Sequence, residues 1–307
     1  MSAMRTYPRL IFILAALAGA CGPAATTPDA GPAPGTCEPA GTAADAGPGL
    51  VTRTIEIRRD AVPRDSEDTI CIDMPAGLTE DALLVGIRTH LTEGSHHLLV
   101  SLADSVTPSG TPFACAPFRH GLSSLIFIAQ QAEAGLSYPR GSGLVMTAGQ
   151  AIGLELHFIN YFSDASVNIV GTIELDFVPI PPTFREVHIA FTGNLSLSLP
   201  PRVETTIDFT YTPRAGAEII ALTSHTHQLG LLSTIEHVTA TETTPIHVSN
   251  NWADPPLDLF CPPIVFAPGD SLHLQCNFNN TTDGFVDFGE GFGNEMCFLW
   301  AYYLDPV

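Results

Sequence analysis

From residue 51 onward the chain is a succession of short apolar and alternating runs broken by turn clusters. Runs over 52–58, 82–89, 97–102, 123–129, 151–158 and 167–177 have the period-two, β-branched character of strands. The same style resumes over 186–192, 204–212, 217–224, 231–239, 246–250, 271–278 and 296–303. Residues 130–136 are the one short helix candidate, because nothing else approaches a helical period. Many short strands separated by turns predict an all-β fold, two tandem antiparallel β-sandwiches of the jelly-roll kind. Pro179-Ile180-Pro181-Pro182 cannot enter a ladder and divides a sandwich of residues 51–178 from one of 183–307.

The first fifty residues follow another pattern. Arg5 and Arg9 precede an apolar core at 10–20, too short to span a bilayer, and Ala18-Gly19-Ala20 lead into Cys21. Residues 1–21 therefore read as an export signal with a lipobox-like Cys21, although Ala18 stands where that motif usually has Leu. Simple secretion follows if Cys21 is not lipidated. Residues 22–50, rich in Ala, Pro and Gly, read as a flexible linker. The expected location is outside the cytoplasm, periplasmic or cell-surface, with a lipid at Cys21 as the only membrane contact.

Charge narrows the partners. Twelve arginines and no lysine stand against 32 acidic residues. Nothing in such a chain could neutralise a run of phosphates, so nucleic acid is excluded as a partner. Apart from Cys21 the cysteines are Cys37, Cys71, Cys115, Cys261, Cys276 and Cys297, an even number that argues for disulfides in an exported protein.

The chemistry lies in the histidines. In Ser224-His225-Thr226-His227 the strand period points both imidazoles the same way, half of a metal site at a strand end. Surface strands also carry such pairs by chance, so the remaining ligands matter. Adjacent His96 and His97 can reach one metal only at a strand end or a bulge, and Glu93-Gly94-Ser95 supplies a turn there. In Leu154-Glu155-Leu156-His157-Phe158 the leucines and Phe158 form the apolar face, leaving His157 and Glu155 on the polar one. Met296, beside Cys297 in a polar segment, is the candidate partner of His225 and His227; most methionines fill cores instead. A thioether with two imidazoles suits copper better than zinc. His90, His120, His188, His237, His247 and His273 lack spacing partners and read as surface or satisfied core residues. Glu155 and Asp270 are carboxylates able to orient ligand imidazoles.

The order His96-His97, His157, His225-x-His227, Glu295-Met296-Cys297 resembles the copper type II, ascorbate-dependent monooxygenases, over about residues 51–306. Asp68-Thr69-Ile70-Cys71 and Ala267-Pro268-Gly269-Asp270-Ser271 add to the resemblance. It implies a small-molecule substrate, O2, a reductant such as ascorbate, and two copper ions per chain across a wet cleft. His96, His97 and His157 would hold the electron-supplying copper. His225, His227 and Met296 would be the catalytic set, at the copper that binds O2 and hydroxylates a C–H bond. It also implies the disulfides Cys71–Cys115 and Cys276–Cys297. Two departures bear on substrate. Thr223 stands where the peptide-amidating branch has an arginine, and Trp300 where it has a tyrosine. Without that bidentate fork a peptide carboxylate loses its partner, and Phe298 with Trp300 would offer an aromatic wall to a less polar substrate. The alternative is an exported copper-binding or electron-transfer protein without hydroxylase activity.

Overall fold

The computed structural model describes residues 49–161, 163–291 and 293–306. The predicted signal, Cys21, the linker up to residue 48 and Cys37 lie outside them. The first half runs through β1 (Val51–Val62), β2 (Glu67–Pro75), β3 (Ala82–Leu91), β4 (Ser95–Ala103) and β5 (Phe113–Ala114). It continues through β6 (Leu125–Ala129), β7 (Glu133–Ser137), β8 (Ser142–Met146), β9 (Ala151–Ile159) and β10 (Val167–Pro179). The second half begins with β11 (Arg185–Gly193), β12 (Ser198–Leu199), β13 (Val203–Tyr211), β14 (Glu218–His225) and β15 (Gly230–Val238). It ends with β16 (Thr243–Ser249), β17 (Asp258–Val265), β18 (Ser271–Asn280), β19 (Val286–Asp287) and β20 (Phe298–Leu304). The all-β expectation holds, with no α-helix among the described residues.

The helix candidate at 130–136 is a strand instead: β6 stops at Ala129, and Glu133–Ser137 pairs with β3. Gly135 in its middle disfavours a helix, and a Cβ there would meet the Ile87 carbonyl at 3.1 Å. Pairing of the neighbouring strand outweighs a weak local preference.

A nine-stranded sheet runs through both halves in the order β1-β10-β3-β8-β11-β20-β14-β17, with β7 beside β3. β8 and β11 join the halves by parallel pairing, Arg185 opposite Ser142 and Glu186 opposite Gly143. A five-stranded sheet, β5-β2-β9-β4-β6, and a four-stranded sheet, β13-β18-β15-β16, belong to one half each. β20 is apolar almost throughout because both its faces are covered. Leu299 and Ala301 belong to the core shared with Leu274 and Phe278 of β18. Trp300, Tyr302 and Leu304 belong to the core that holds Phe127, Leu156 and Ile173 of the first half. The five-stranded sheet therefore reaches across to the second half, with the Phe127 and Tyr302 rings 6.1 Å apart. This contact sets the end of β4 and β9 against the end of β14.

Candidate metal centre

Each histidine is delivered by a local feature legible in its own sequence. Gly94, at φ +88°, makes the turn before β4, a left-handed conformation that L side chains avoid. The ladder between β4 and β9 slips between Ser95 and His97, so His96 is the extra residue of a bulge. That bulge lets His96 and His97 face the same region, with ring centroids 4.9 Å apart. His157 stands directly opposite His97 across the ladder. His225 is the last residue of β14, and His227 lies in the turn that follows. Gly230 closes that turn, donating its N–H to the His227 carbonyl at 3.0 Å; a Cβ there would sit 2.5 Å from the Thr226 hydroxyl.

Five imidazoles meet. His96 lies within 4.9–5.8 Å, centroid to centroid, of His97, His157, His225 and His227. Two groups have metal-ligating nitrogens within reach of one another, His96-His97-His157 and His96-His225-His227, with His96 common to both. All five are buried. The resemblance implied two centres apart across a wet cleft. The structure instead draws both histidine groups into one buried cluster, because the shared sheet and the Phe127–Tyr302 contact bring the two strand ends together. His157 and Glu155 do lie on one face of β9, but that face is buried, beneath Phe118 and Arg119 of the first half and residues of the second.

The hydrogen bonds decide which nitrogens are available. A backbone carbonyl only accepts, so the Asn294 carbonyl, 3.0 Å from His227 Nδ1, requires the proton on Nδ1. Gln130 Oε1 lies 2.5 Å from His225 Nδ1. His225 Nε2 and His227 Nε2 then face each other, both bare, at 3.2 Å. Two lone pairs at that distance repel unless a cation joins them. The spacing suits two ligand nitrogens sharing one ion at bond lengths of about 2 Å. In the other group His157 Nε2 is engaged by Glu67 Oε1 at 2.8 Å, and the buried Nδ1 of His97 has no hydrogen-bond partner. A buried ring nitrogen without a partner is one that a bound metal would satisfy.

Electrostatics point the same way. Burial, then the neighbouring rings, holds His96, His97 and His225 well below the ordinary histidine pKa. Burial pulls His227 down to about 4, against the opposing bond to Asn294. These four are thus neutral at pH 7, the form that ligates metal.

Met296 is buried and shares a cavity with His97, His157, His225 and His227. Glu295 beside it accepts the backbone N–H groups of Leu229, His227 and Met296 at 2.6, 2.9 and 3.3 Å. Burial raises its carboxyl to about 7 even so. Phe118, Phe191, Trp300, Glu155 and Glu290 also line this cavity. Phe191 and Trp300 are register partners with rings 4.6 Å apart. Thr223 is opposite Trp300 on β14, buried, its hydroxyl 3.3 Å from Gln130 Nε2.

Asp270 does not support a cluster imidazole: it pairs with His237 at 3.0 Å. Glu155 accepts the N–H groups of Phe118 and Arg119. Among the described residues, Glu67, Gln130, the Asn294 carbonyl and the Trp252 ring, 5.4 Å from that of His96, meet the cluster, and the sequence singles out none of them for that role. The six other histidines all pair with carboxylates, at distances from 2.5 to 3.4 Å. Cys71–Cys115 and Cys276–Cys297 are disulfides, S–S 2.09 and 2.05 Å, and Cys261 is disulfide-bonded as well.

Residues 164–307 match the family model of the copper type II ascorbate-dependent monooxygenase C-terminal domain. No curated protein matches the chain significantly. Among solved structures, the STIV MCP is similar at 10% identity over 83% of this chain and 95% of that one, with a TM-score of 0.35. PBCV-1 VP54, fitted into a reconstruction of the virophage Sputnik, is similar at 7% identity over 83% and 94%, with a TM-score of 0.27. At such values neither likeness bears on function.

Proposed function

We propose that the chain, whose residues 164–307 match the C-terminal domain of the copper type II ascorbate-dependent monooxygenases, is a monooxygenase of that kind and hydroxylates a C–H bond of a small organic substrate. The overall reaction takes O2 and two electrons with two protons from an external reductant such as ascorbate; one oxygen enters the substrate and the other leaves as water. The observation that carries the reading is the pair of bare Nε2 atoms of His225 and His227, 3.2 Å apart beside the cavity that Met296 lines. Bound copper would supply one-electron chemistry, which a neutral imidazole set with one thioether suits.

The chain's own residues supply the setting. His225, His227 and Met296 would hold one ion, and His96, His97 and His157 a second. Asn294 and Gln130 keep the protons on the outer nitrogens, and Glu295 fixes the turn carrying His227 to the strand entry carrying Met296. Phe118, Phe191 and Trp300 exclude water and present an apolar wall to the substrate. With Thr223 buried against Gln130, the cavity lacks a guanidinium for a peptide carboxylate. A Trp300→Phe variant with unchanged KM for the hydroxylated compound contradicts that wall's role. We place the protein outside the cytoplasm, tethered through a lipid at Cys21, a reading supported by the leader's residue pattern and by disulfides in the folded part.

Reductant-dependent O2 uptake by the copper-loaded protein tests the function. Uptake coupled to a hydroxylated product supports it. Copper binding without uptake favours an electron-transfer role for the same cluster, for which His96, common to both histidine groups, gives a direct connection.

A further inference from the structure

Gln130 lies just past the end of β6, buried, in the half of the molecule that does not carry His225. Its amide nitrogen reaches the Ser224 carbonyl at 3.0 Å and the Thr223 hydroxyl at 3.3 Å; its oxygen reaches His225 Nδ1 at 2.5 Å. The Ser224 carbonyl fixes which way round the amide sits, because a carbonyl accepts only and must face the NH2 group. Oε1 is then the atom that meets the imidazole, and an amide oxygen accepts only. The proton of His225 is therefore on Nδ1.

We propose that Gln130 is a positioning residue of the metal centre, acting from the first half to hold His225 of the second half in the tautomer whose Nε2 is free to ligate. The inference rests on the reading that His225 and His227 bind metal. β6 is the edge strand of the sheet that carries the other histidines, and Leu98 pairs with Ala129, so Gln130 stands one step beyond that pair, alongside His97. One sheet edge thus presents His96 and His97 to the centre and orients His225 across from them. An imidazole held at one nitrogen by a fixed acceptor loses little freedom on binding metal. Losing such an acceptor costs about 10–100-fold in metal affinity. Gln130→Met keeps the side-chain length and removes both polar atoms; Gln130→Glu keeps an oxygen toward Nδ1 and gives up the amide donor.

The test is nitrogen–proton correlation NMR of the full chain labelled at histidine nitrogen, metal-free, with Cu(I) affinity by competition measured alongside. The expected wild-type signal for His225 is the Nδ1–H tautomer. Gln130→Met should lose it and weaken Cu(I) at the His225–His227 site by about 10–100-fold. Gln130→Glu should retain it. A wild-type His225 protonated at Nε2, or a Gln130→Met protein with unchanged tautomer and affinity, overturns the inference. If Gln130→Met does not fold, loss of the Nδ1–H signal in Gln130→Glu overturns it. The tautomer is read without metal, so a protein that binds no copper defeats the monooxygenase reading while the effect of Gln130 on His225 is still decided.

Discussion

His97 and His157 stand opposite each other across β4 and β9 with ring centroids 5.0 Å apart, and only His157 has its outer nitrogen engaged, by Glu67 at 2.8 Å. The carboxylate makes the imidazole a better donor and fixes its rotation. Glu67→Ala should therefore weaken copper at the His96-His97-His157 group by about 10–100-fold while the protein stays folded. A competition titration against a chelator of known affinity reads this directly; an unchanged isotherm removes Glu67 from the account.

Met296 gives a sharper separation of binding from turnover. Met296→Ile preserves volume and burial, so the fold should lose less than about 1.5 kcal/mol. His225 and His227 remain, and copper should still bind. Reductant-dependent O2 uptake should fall by at least about 100-fold, an expectation that assigns the thioether to the reacting ion. Equal turnover in the two proteins places Met296 in the core alone.

Glu295 carries a structural load that the cluster depends on. Its carboxyl, fully buried, accepts three backbone N–H groups, and Glu295→Ala leaves all three without a partner. At about 1–3 kcal/mol for a buried donor left unsatisfied, and some relief by entering water, the expected loss is about 3 kcal/mol. Denaturant unfolding measures it. Because the turn holding His227 is loosened, copper affinity should fall along with stability.

Away from the cluster, His273 makes a pH-dependent contribution. Its Nδ1 faces Glu236 and its Nε2 faces Asp208, each at 3.0 Å, and the bond to Glu236, then that to Asp208, raises its pKa despite partial burial. A raised folded-state pKa means that protonation favours the fold. This contribution is fully present below the unfolded value of about 6.5 and is lost as pH rises through the folded value. His273→Gln should lower Tm at acidic pH and have a smaller effect in alkali. A Tm difference that grows with pH contradicts the assignment.

Much of the fold and of the cluster is legible in the residue order alone. Period-two runs mark the strands because burial of one or both sheet faces imposes that period, and the bulge needed to align His96 with His97 sits where Glu93-Gly94-Ser95 turns. Other elements are hidden for definite reasons. β17 contains Pro262 and Pro263, which argue against a strand, yet it is the edge of its sheet, where a missing N–H costs little. β7 has no strand signature because its one buried apolar residue, Leu136, sets no period. Glu67 and Gln130 lie about 90 residues from the histidines they orient, and nothing local marks them. Gln130 ends an apolar run, a position that suits a strand terminus or a turn equally well.

The central claim is that the clustered imidazoles form a copper site, and a copper titration of the full chain followed by electron paramagnetic resonance addresses it most directly. Up to two Cu(II) per chain are expected, with hyperfine lines from imidazole nitrogen, and a His96→Ala variant should lose the copper assigned to His96, His97 and His157 while the one assigned to His225, His227 and Met296 remains. A protein that takes up no copper, or whose copper signal shows no imidazole nitrogen, contradicts it.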